Sequence, residues 1–444
     1  MVKIKLVIQT LKNNWLILLA ISLLTIAYLV GIPEVPFHPD ESTQLFMSAD
    51  IELFFADPSS LFWRPQNEQD LRQHYRELDA PLTRYLAGIV RQITRHPPLP
   101  QDWNWSASWE ENQSTGALPD AGLLLAGRLS AAIFFPLNLY FLYKIMQKVH
   151  SSLAAWLSIF FFASNALILL HTRRVMAEGV LTFTILLTLY AISHLKRHQW
   201  LIAIPTALAF SSKQSTASLI GLGMVAVFML ENENHEIGLK KRAYLFRIAQ
   251  YLSICLLVLF LLNPFLWKHP VRAGQAAWKA RSTLTTSQIT TIAEKNPEKI
   301  LTSAPQRTLG ILANLFITPP AVADVANYQE QTLESATVYL NNPLNNFFRG
   351  PVWGSIYLVL CLFGFITALM KWMRNDSGSK WLLILLILAT ILQFLSLIFF
   401  VTIPFQRYVI PLVPYSCIWQ AYGLSTLLLK MRSGADNQNT PNDQ

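Results

Sequence analysis

The chain is built of long apolar blocks separated by polar segments, not of short amphipathic periods. Residues 15–32, 152–170, 248–266, 351–370, 381–405 and 408–429 contain no Asp, Glu, Lys or Arg. Uncharged apolar runs of about 18 residues or more are long enough to cross a bilayer as helices. Four more apolar helices are expected near residues 121–143, 179–194, 200–211 and 214–230, the last two short and closely spaced. The pattern predicts an all-α, polytopic transmembrane bundle of about ten helices. One stretch follows a different rule. Between Ser42 and Phe55, Leu45, Ala49 and Leu53 recur at i, i+4 and i+8 with Phe46 and Phe54 alongside. That spacing predicts an interfacial helix lying in the headgroup layer.

Composition supports the membrane reading. Of 444 residues, 52% are hydrophobic and only 14% charged, whereas soluble domains carry about 25% charged residues. Too little polar surface remains to cover a water-soluble globule, and a disordered chain is excluded for the same reason. Cys255, Cys361 and Cys417 all lie in apolar runs, where they serve as small core residues and cannot staple an outer loop. The first apolar run exceeds a signal-peptide core and lacks a small-residue cleavage site, so it reads as a retained anchor.

Charge then orients the bundle. With the N-terminus in the cytoplasm, Lys3, Lys5, Lys12, Lys144, Lys148, Lys196, Arg197, Lys240, Lys241, Arg242, Arg247, Lys371, Arg374, Lys380, Lys430 and Arg432 share one side. These 16 basic residues meet six acids there, while 19 basic and 20 acidic residues make up the rest of the chain. The formal charge of +9 is therefore a positive-inside signature and not a nucleic-acid footprint. Both termini are expected in the cytoplasm. Residues 1–432 read as one integral membrane domain with outer loops at 33–120 and 267–350, and the polar tail 433–444 reads as disordered.

Function is sought where ionisable groups appear near the membrane without structural need. The first such place is Pro36-Phe37-His38-Pro39-Asp40-Glu41, just past the outer end of the first helix. Asp40 also reads as a helix N-cap. The two readings are compatible, because a carboxylate at a helix N-terminus stays ionised, as a base must be. The second place is the outer link from His171 to Glu178, where Arg173 and Arg174 sit on the face that short loops keep free of basic residues. A surface Arg–Glu pair with Glu178 favouring the helix dipole is the competing explanation. The third is Ser211-Ser212-Lys213-Gln214, a lone lysine between apolar segments that either meets an anion or snorkels. The last is the turn from Pro404 to Leu412, where Arg407 is the only charge.

Carboxylates supply a base or metal ligands, and arginine and lysine are the expected partners of phosphate. The reaction that fits is attack by an acceptor hydroxyl on a sugar whose leaving group is a lipid phosphate. Phosphate leaves readily once its charge is neutralised, so a base and a cation clamp suffice. Three carboxylates without a histidine are compatible with a divalent metal, Mg or Mn, and equally with a metal-free site.

In these residues the chain resembles the GT-C superfamily of polyprenyl-phosphate-sugar-dependent glycosyltransferases. It looks most like the bacterial branch related to protein O-mannosyltransferases and the lipid A aminoarabinose transferase, the glycosyltransferase family 39 type. His38-Pro39-Asp40-Glu41 matches the family's first-loop Asp-Glu pair. Asp79-Ala80-Pro81-Leu82 with Tyr85 is similar to its His-Pro-Pro-Leu…Tyr stretch, although His96-Pro97-Pro98-Leu99 is an alternative match. Gly127-Arg128-Leu129-Ser130-Ala131 through Tyr143, His171-Thr172-Arg173 to Glu178, Ser212-Lys213, Asn263-Pro264-Phe265-Leu266-Trp267 and Arg407-Tyr408 with Pro411 and Pro414 follow in the family's order.

The resemblance implies an inverting transfer with Asp40 as general base and Glu41 orienting acceptor or donor. Glu178 would contact the donor, or a metal where one is used. Arg173, Lys213 and Arg407 would bind the donor phosphate, with Arg174 the alternative to Arg173. It also implies a polyprenyl-phosphate sugar as donor, a hydroxyl on protein, lipid or envelope glycan as acceptor, and a place in the cell (inner) membrane. Gln406 stands where relatives often carry an acid, and the second outer loop is too short for a β-trefoil, as in bacterial-type enzymes. Asn104-Trp105-Ser106 and Asn112-Gln113-Ser114 match glycosylation sequons by chance in a polar stretch. A transporter or flippase is the main competing reading. Scarce glycine, 17 residues, and charges gathered at one face instead of the midplane weigh against it. A non-catalytic subunit that kept the fold is the third.

Overall fold

The computed structural model describes residues 2–65, 70–195, 198–234, 241–323, 328–374 and 380–438, with the side chains of 2–14, 230–234, 241–243, 295 and 433–438 left undescribed. The described chain is all-helical, with no strand. In order, α1 spans Val2–Val30, α2 Pro39–Met47, α3 Asp50–Ala56, α4 Leu71–Leu78, α5 Leu82–Ile93 and α6 Trp109–Ser114. Then come α7 Ala121–Ala132, α8 Phe135–Val149, α9 Ser152–Ala163, α10 Ala166–His171, α11 Ala177–His194, α12 Ala203–Ser212, α13 Ser218–Asn234 and α14 Lys241–Leu262. The segment expected as the second outer loop holds α15 Pro270–Lys295, α16 Ala304–Leu312 and α17 Gln329–Asn341, and α18 Pro351–Met373, α19 Lys380–Phe400 and α20 Val413–Gln438 follow.

Five described helical stretches are long and apolar enough to cross a membrane: Ala121–Val149, Ala177–His194, Tyr244–Leu262, Pro351–Met373 and Lys380–Phe400. Trp15–Val30, Ser152–Ala163 and Gln214–Met229 are apolar but shorter. The chain is thus a multi-pass membrane protein, with five full-length spans among the described residues where about ten are expected. Two of the apolar blocks end early for local reasons. The block 152–170 is interrupted because Asn165 caps α10, its side chain accepting from the N–H groups of Leu167 and Ile168 at 3.0 and 3.3 Å, which ends α9 at Ala163. The block 381–405 stops at Phe400 ahead of Pro404. A 3₁₀ segment, Gln406–Leu412, precedes α20, since Pro411 cannot continue an α-helix.

The stretch from Ser42 to Phe55 also differs from expectation. It forms two helices, α2 and α3, and its apolar side is used within the protein. Leu45, Phe46, Met47 and Ile51 are buried; the first three pack with Ala87 of α5 and Leu123 of α7, and Ile51 lies against Gly88 of α5. At Gly127 a Cβ would lie 2.8 Å from Leu45 Cδ2 and 3.2 Å from Val175 Cβ, so α2 rests directly on α7. The segment 33–120 is further fastened by ion pairs, those of Asp50 fully buried. Asp50 takes Arg76 at 2.7 Å and Arg84 at 3.2 Å, and Arg91 pairs with Glu52 while donating to Ser48 at 2.9 Å.

The main core gathers residues from α1, α8, α9, α11, α12, α19 and α20. The outward faces of α1, α14 and α18 expose Leu23, Leu256 and Val359, as lipid-facing helices do. Where α18 meets α20 the backbones nearly touch. A Cβ on Gly364 would sit 1.9 Å from the Trp419 carbonyl, and one on Gly423 2.7 Å from that of Leu360; small residues permit such crossings.

Contacts also bear on the charge frame. Lys148 donates to the Ser193 carbonyl at the end of α11. His150 meets Thr426 of α20 at 2.9 Å and lies within electrostatic reach of Lys371. Lys144 and Lys148 are both within electrostatic reach of His194, so Lys144, Lys148 and Lys371 share one end of the bundle, as the positive-inside reading groups them. Lys196, Arg197, Lys240 and the side chains of Lys3, Lys5, Lys12, Lys241 and Arg242 lie outside the described residues. Helix α20 continues to Gln438, into the tail expected to be disordered; residues 439–444 lie outside the described residues.

Candidate active site

Helix α2 begins in a capping box. The cap is His38, not Asp40: His38 Nδ1 accepts from the Asp40 N–H at 3.1 Å, and Glu41 Oε2 accepts from the His38 N–H at 3.1 Å. This spares the Asp40 carboxylate from capping, and its Oδ2 pairs with Arg407 Nη1. Arg407 reaches it from the 3₁₀ segment between α19 and α20, flanked by Phe405 and Tyr408, whose ring centres lie 5.8 and 5.9 Å from the guanidinium carbon.

Glu178 stands in the first turn of α11, where the helix dipole favours an acid. It is 1% exposed. Its Oε1 accepts from Lys213 Nζ at 2.5 Å, and Lys213 ends α12, where a cation suits the dipole. The Lys213 ammonium also lies 5.6 Å from the Tyr408 ring. Arg407 and His171 are both within electrostatic reach of Glu178, so the two ion pairs belong to one cluster. Glu178 Oε2 is buried without a hydrogen-bond partner among the described residues. Buried polar atoms are seldom left so, and this oxygen is the natural acceptor for a ligand hydroxyl.

Of the seven expected site residues, then, Asp40, Glu178, Lys213 and Arg407 come together. The others are occupied elsewhere. Glu41 is fully buried and receives a two-pronged bond from Arg128, Nε to Oε1 and Nη2 to Oε2, both 2.8 Å, plus the Val175 N–H at 3.1 Å. Arg128 also donates to the carbonyls of Ile32 and Val35 at 3.0 and 2.7 Å. Burial acts to raise the Glu41 carboxyl, but Arg128, Arg174 and the Val175 N–H outweigh it and hold the group below the usual glutamate value.

Arg173 donates to the Tyr28 carbonyl at 2.9 Å and to Asn345 at 3.3 Å, and its guanidinium lies 4.9 Å from the Tyr28 ring. Arg174 donates to the carbonyls of Pro36 and Val322 at 3.1 and 2.6 Å. Both are nearly fully buried, which leaves no open face for a phosphate. The sequence predicts a short outer link between two helices here; in the fold the segment 267–350 packs on it through Val322 and Asn345. Gln406 fastens the same segment, donating to Thr318 and Pro319 at 3.0 Å and accepting from the Ala321 N–H at 2.6 Å. An acid here would lack the donor.

Two residues gain weight only in the fold. Arg128 was visible as part of a family-like stretch, but its partner Glu41 lies 87 positions earlier. Asp79 ends α4 within electrostatic reach of Asp40 and Lys213, whereas His96, the alternative match, lies against Gly122 at the start of α7. Among the described residues no three His, Cys, Asp or Glu side chains come together so as to hold a metal ion.

No protein-family model matches the chain, and no curated protein matches it in sequence. Among solved structures it is similar to the oligosaccharyltransferase of Archaeoglobus fulgidus in the apo form, with a TM-score of 0.50 and 12% identity over 96% of this chain and 52% of that one. The same archaeal enzyme in complex with an inhibitory peptide and a dolichol-phosphate aligns with a TM-score of 0.49 and 12% identity, over 98% of this chain and 53% of that one. The chain thus spans about half the length of the solved structures it matches. The likeness is one of fold.

Proposed function

We propose that the protein is an integral membrane glycosyltransferase that moves a sugar from a polyprenyl-phosphate donor to an acceptor hydroxyl. The observation that carries this is the pairing of two carboxylates with two cations in one cluster, Asp40 with Arg407 and Glu178 with Lys213. An oligosaccharyltransferase among the proteins of similar fold is in keeping with it.

The chemistry is an exchange of ion-pair partners. The donor phosphate draws Arg407 and Lys213 toward itself, since a phosphate competes well for both cations. Asp40, relieved of its guanidinium, becomes a stronger base. The acceptor oxygen attacks the anomeric carbon from the face opposite the phosphate, Asp40 takes the hydroxyl proton, and the anomeric C–O bond breaks with its electron pair on the phosphate. Inversion follows from the single displacement. The cations stabilise the charge that develops on the leaving oxygen, and Glu178 Oε2 accepts from a sugar hydroxyl. Glu41, Arg128, Arg173 and Arg174 position α2 and the second outer segment. The site end faces away from the cytoplasm, because the clustered lysines occupy the other end.

The test is transfer from a polyprenyl-phosphate sugar by purified protein in nanodiscs. Asp40→Asn is expected to fold and insert normally and to lose at least about a hundredfold in kcat, the scale of general-base catalysis. Wild-type turnover by that variant would refute the base. Uptake of a labelled solute into proteoliposomes with no glycosyl product would favour a transporter.

A further inference from the structure

The 3₁₀ segment between α19 and α20 carries one side chain that touches both ion pairs. Tyr408 is half-buried. Its ring centre lies 5.6 Å from the Lys213 ammonium and 5.9 Å from the Arg407 guanidinium carbon, each within the reach of about 6 Å at which a ring attracts a cation. Among the described residues it is the one ring that lies beside two cations. The ring is also held in place. The Tyr408 N–H donates to the Phe405 carbonyl at 3.0 Å, and the Phe405 ring meets Tyr408 nearly edge-on, with ring centres 5.4 Å apart and planes at 82°. On either side Gln406, Val409 and Ile410 are buried.

A ring holds a cation differently from a carboxylate. At rest Lys213 pairs with Glu178 and Arg407 with Asp40, and those oxygens occupy N–H donors that a phosphate needs. An aromatic face attracts a cation through its quadrupole and accepts no strong hydrogen bond. A cation held by a ring therefore keeps its donors for a phosphate. The same face offsets part of the repulsion between two cations that close on one anion.

We propose that Tyr408 is the positioning residue of a phosphate site: its ring keeps Lys213 and Arg407 in place for one phosphate while both give up their carboxylates. The inference rests on the glycosyl-transfer reading above and deepens it. Packing is the competing account, since Tyr408 also borders the main core. A packing role follows the volume of the ring, whereas a positioning role follows the negative charge on its face, and the two separate in experiment.

The probe is polyprenyl phosphate without a sugar, the part shared by every donor of this class, titrated into the full chain in nanodiscs by calorimetry. Tyr408→Phe and Tyr408→Leu are compared with wild type, and with mono-, di- and trifluorinated phenylalanine introduced at position 408. Fluorine draws charge from the ring face and changes its volume little. Affinity is expected to stay within about twofold of wild type in Tyr408→Phe, to fall stepwise with each fluorine, and to drop about tenfold in Tyr408→Leu, the scale of a desolvated cation–π contact. Should Tyr408→Leu fail to fold, the fluorinated series decides alone. Equal affinity across that series overturns the proposal in favour of packing. A loss in Tyr408→Phe as large as in Tyr408→Leu assigns the effect to the hydroxyl and also overturns it. A graded series combined with full sugar transfer by Asp40→Asn supports Tyr408 and overturns the base assignment instead, while no binding of the probe by wild type overturns both.

Discussion

Single side chains in this protein divide by whether their charge is fully answered inside the fold. Glu41 and Arg128 answer each other completely, and breaking a buried pair by removing one partner typically costs about 3–5 kcal/mol, because the other charge is left uncompensated. Glu41→Gln or Arg128→Met alone is therefore expected to lower unfolding stability by a few kcal/mol, read by thermal or denaturant unfolding in detergent. An unchanged midpoint would show that the pair is dispensable. The same pair sets a pH dependence. Because the folded Glu41 carboxyl titrates below its unfolded value, its stabilisation is present above the usual glutamate range and is lost as pH falls through the lowered value. Arg407 and Lys213 behave differently, each being partly exposed and paired with a site carboxylate. Arg407→Ala and Lys213→Ala are expected to weaken donor affinity by roughly ten- to a hundredfold, the scale of a lost charge-assisted hydrogen bond; Arg407→Ala leaves melting little changed, whereas Lys213→Ala also lowers it, because the buried Glu178 loses its partner. Equal donor affinity in both variants, measured by isothermal titration, would count against the phosphate clamp.

At the scale of elements, helix ends and crossings decide geometry. The apolar blocks announced helices, but their breaks came from capping residues and prolines inside those blocks: Asn165 between α9 and α10, and Pro411 before α20. The break before α20 matters for function, because a helix running straight through 408–429 would not present Arg407 in a 3₁₀ turn facing α2. The crossing of α18 and α20 depends on Gly364 and Gly423. Gly364→Val is expected to force these helices apart, since the Trp419 carbonyl is backbone and cannot swing away. A loss of folded, monodisperse protein on size-exclusion chromatography would check this, with Cys361→Ser on the same helix as a milder control.

Across the whole molecule, the two ends carry different chemistry. Lysines, His150 and His194 gather at one end, while the carboxylate–cation cluster, the buried network of the first outer segment and the folded second segment form the other. Cysteines introduced at Ser106 and Ser335, both in the outer segments, are expected to react with a membrane-impermeant maleimide in intact cells, and one at Arg374 only after permeabilisation. Labelling in the reverse pattern would place the site on the cytoplasmic side and refute the proposed orientation.

What the sequence by itself determined was which segments are apolar helices and how the charges are spread along the chain. Blocks such as 351–370 are apolar whatever they touch, and Lys148 and Lys371 stand near helix ends both in the sequence pattern and in the fold. It also singled out Asp40, Glu178, Lys213 and Arg407, because each is an ionisable residue set against apolar neighbours. Only the tertiary structure decided which of the flagged charges remain available to a ligand. Arg173 and Arg174 looked as exposed as Lys213 in sequence, yet their partners are carbonyls and an amide from segments far along the chain, at Tyr28, Pro36, Val322 and Asn345. Glu41, adjacent to Asp40, turned inward to Arg128 because consecutive residues on a helix point about 100° apart. A charge's partner is a long-range property, fixed by how helices cross and not by the residues beside it.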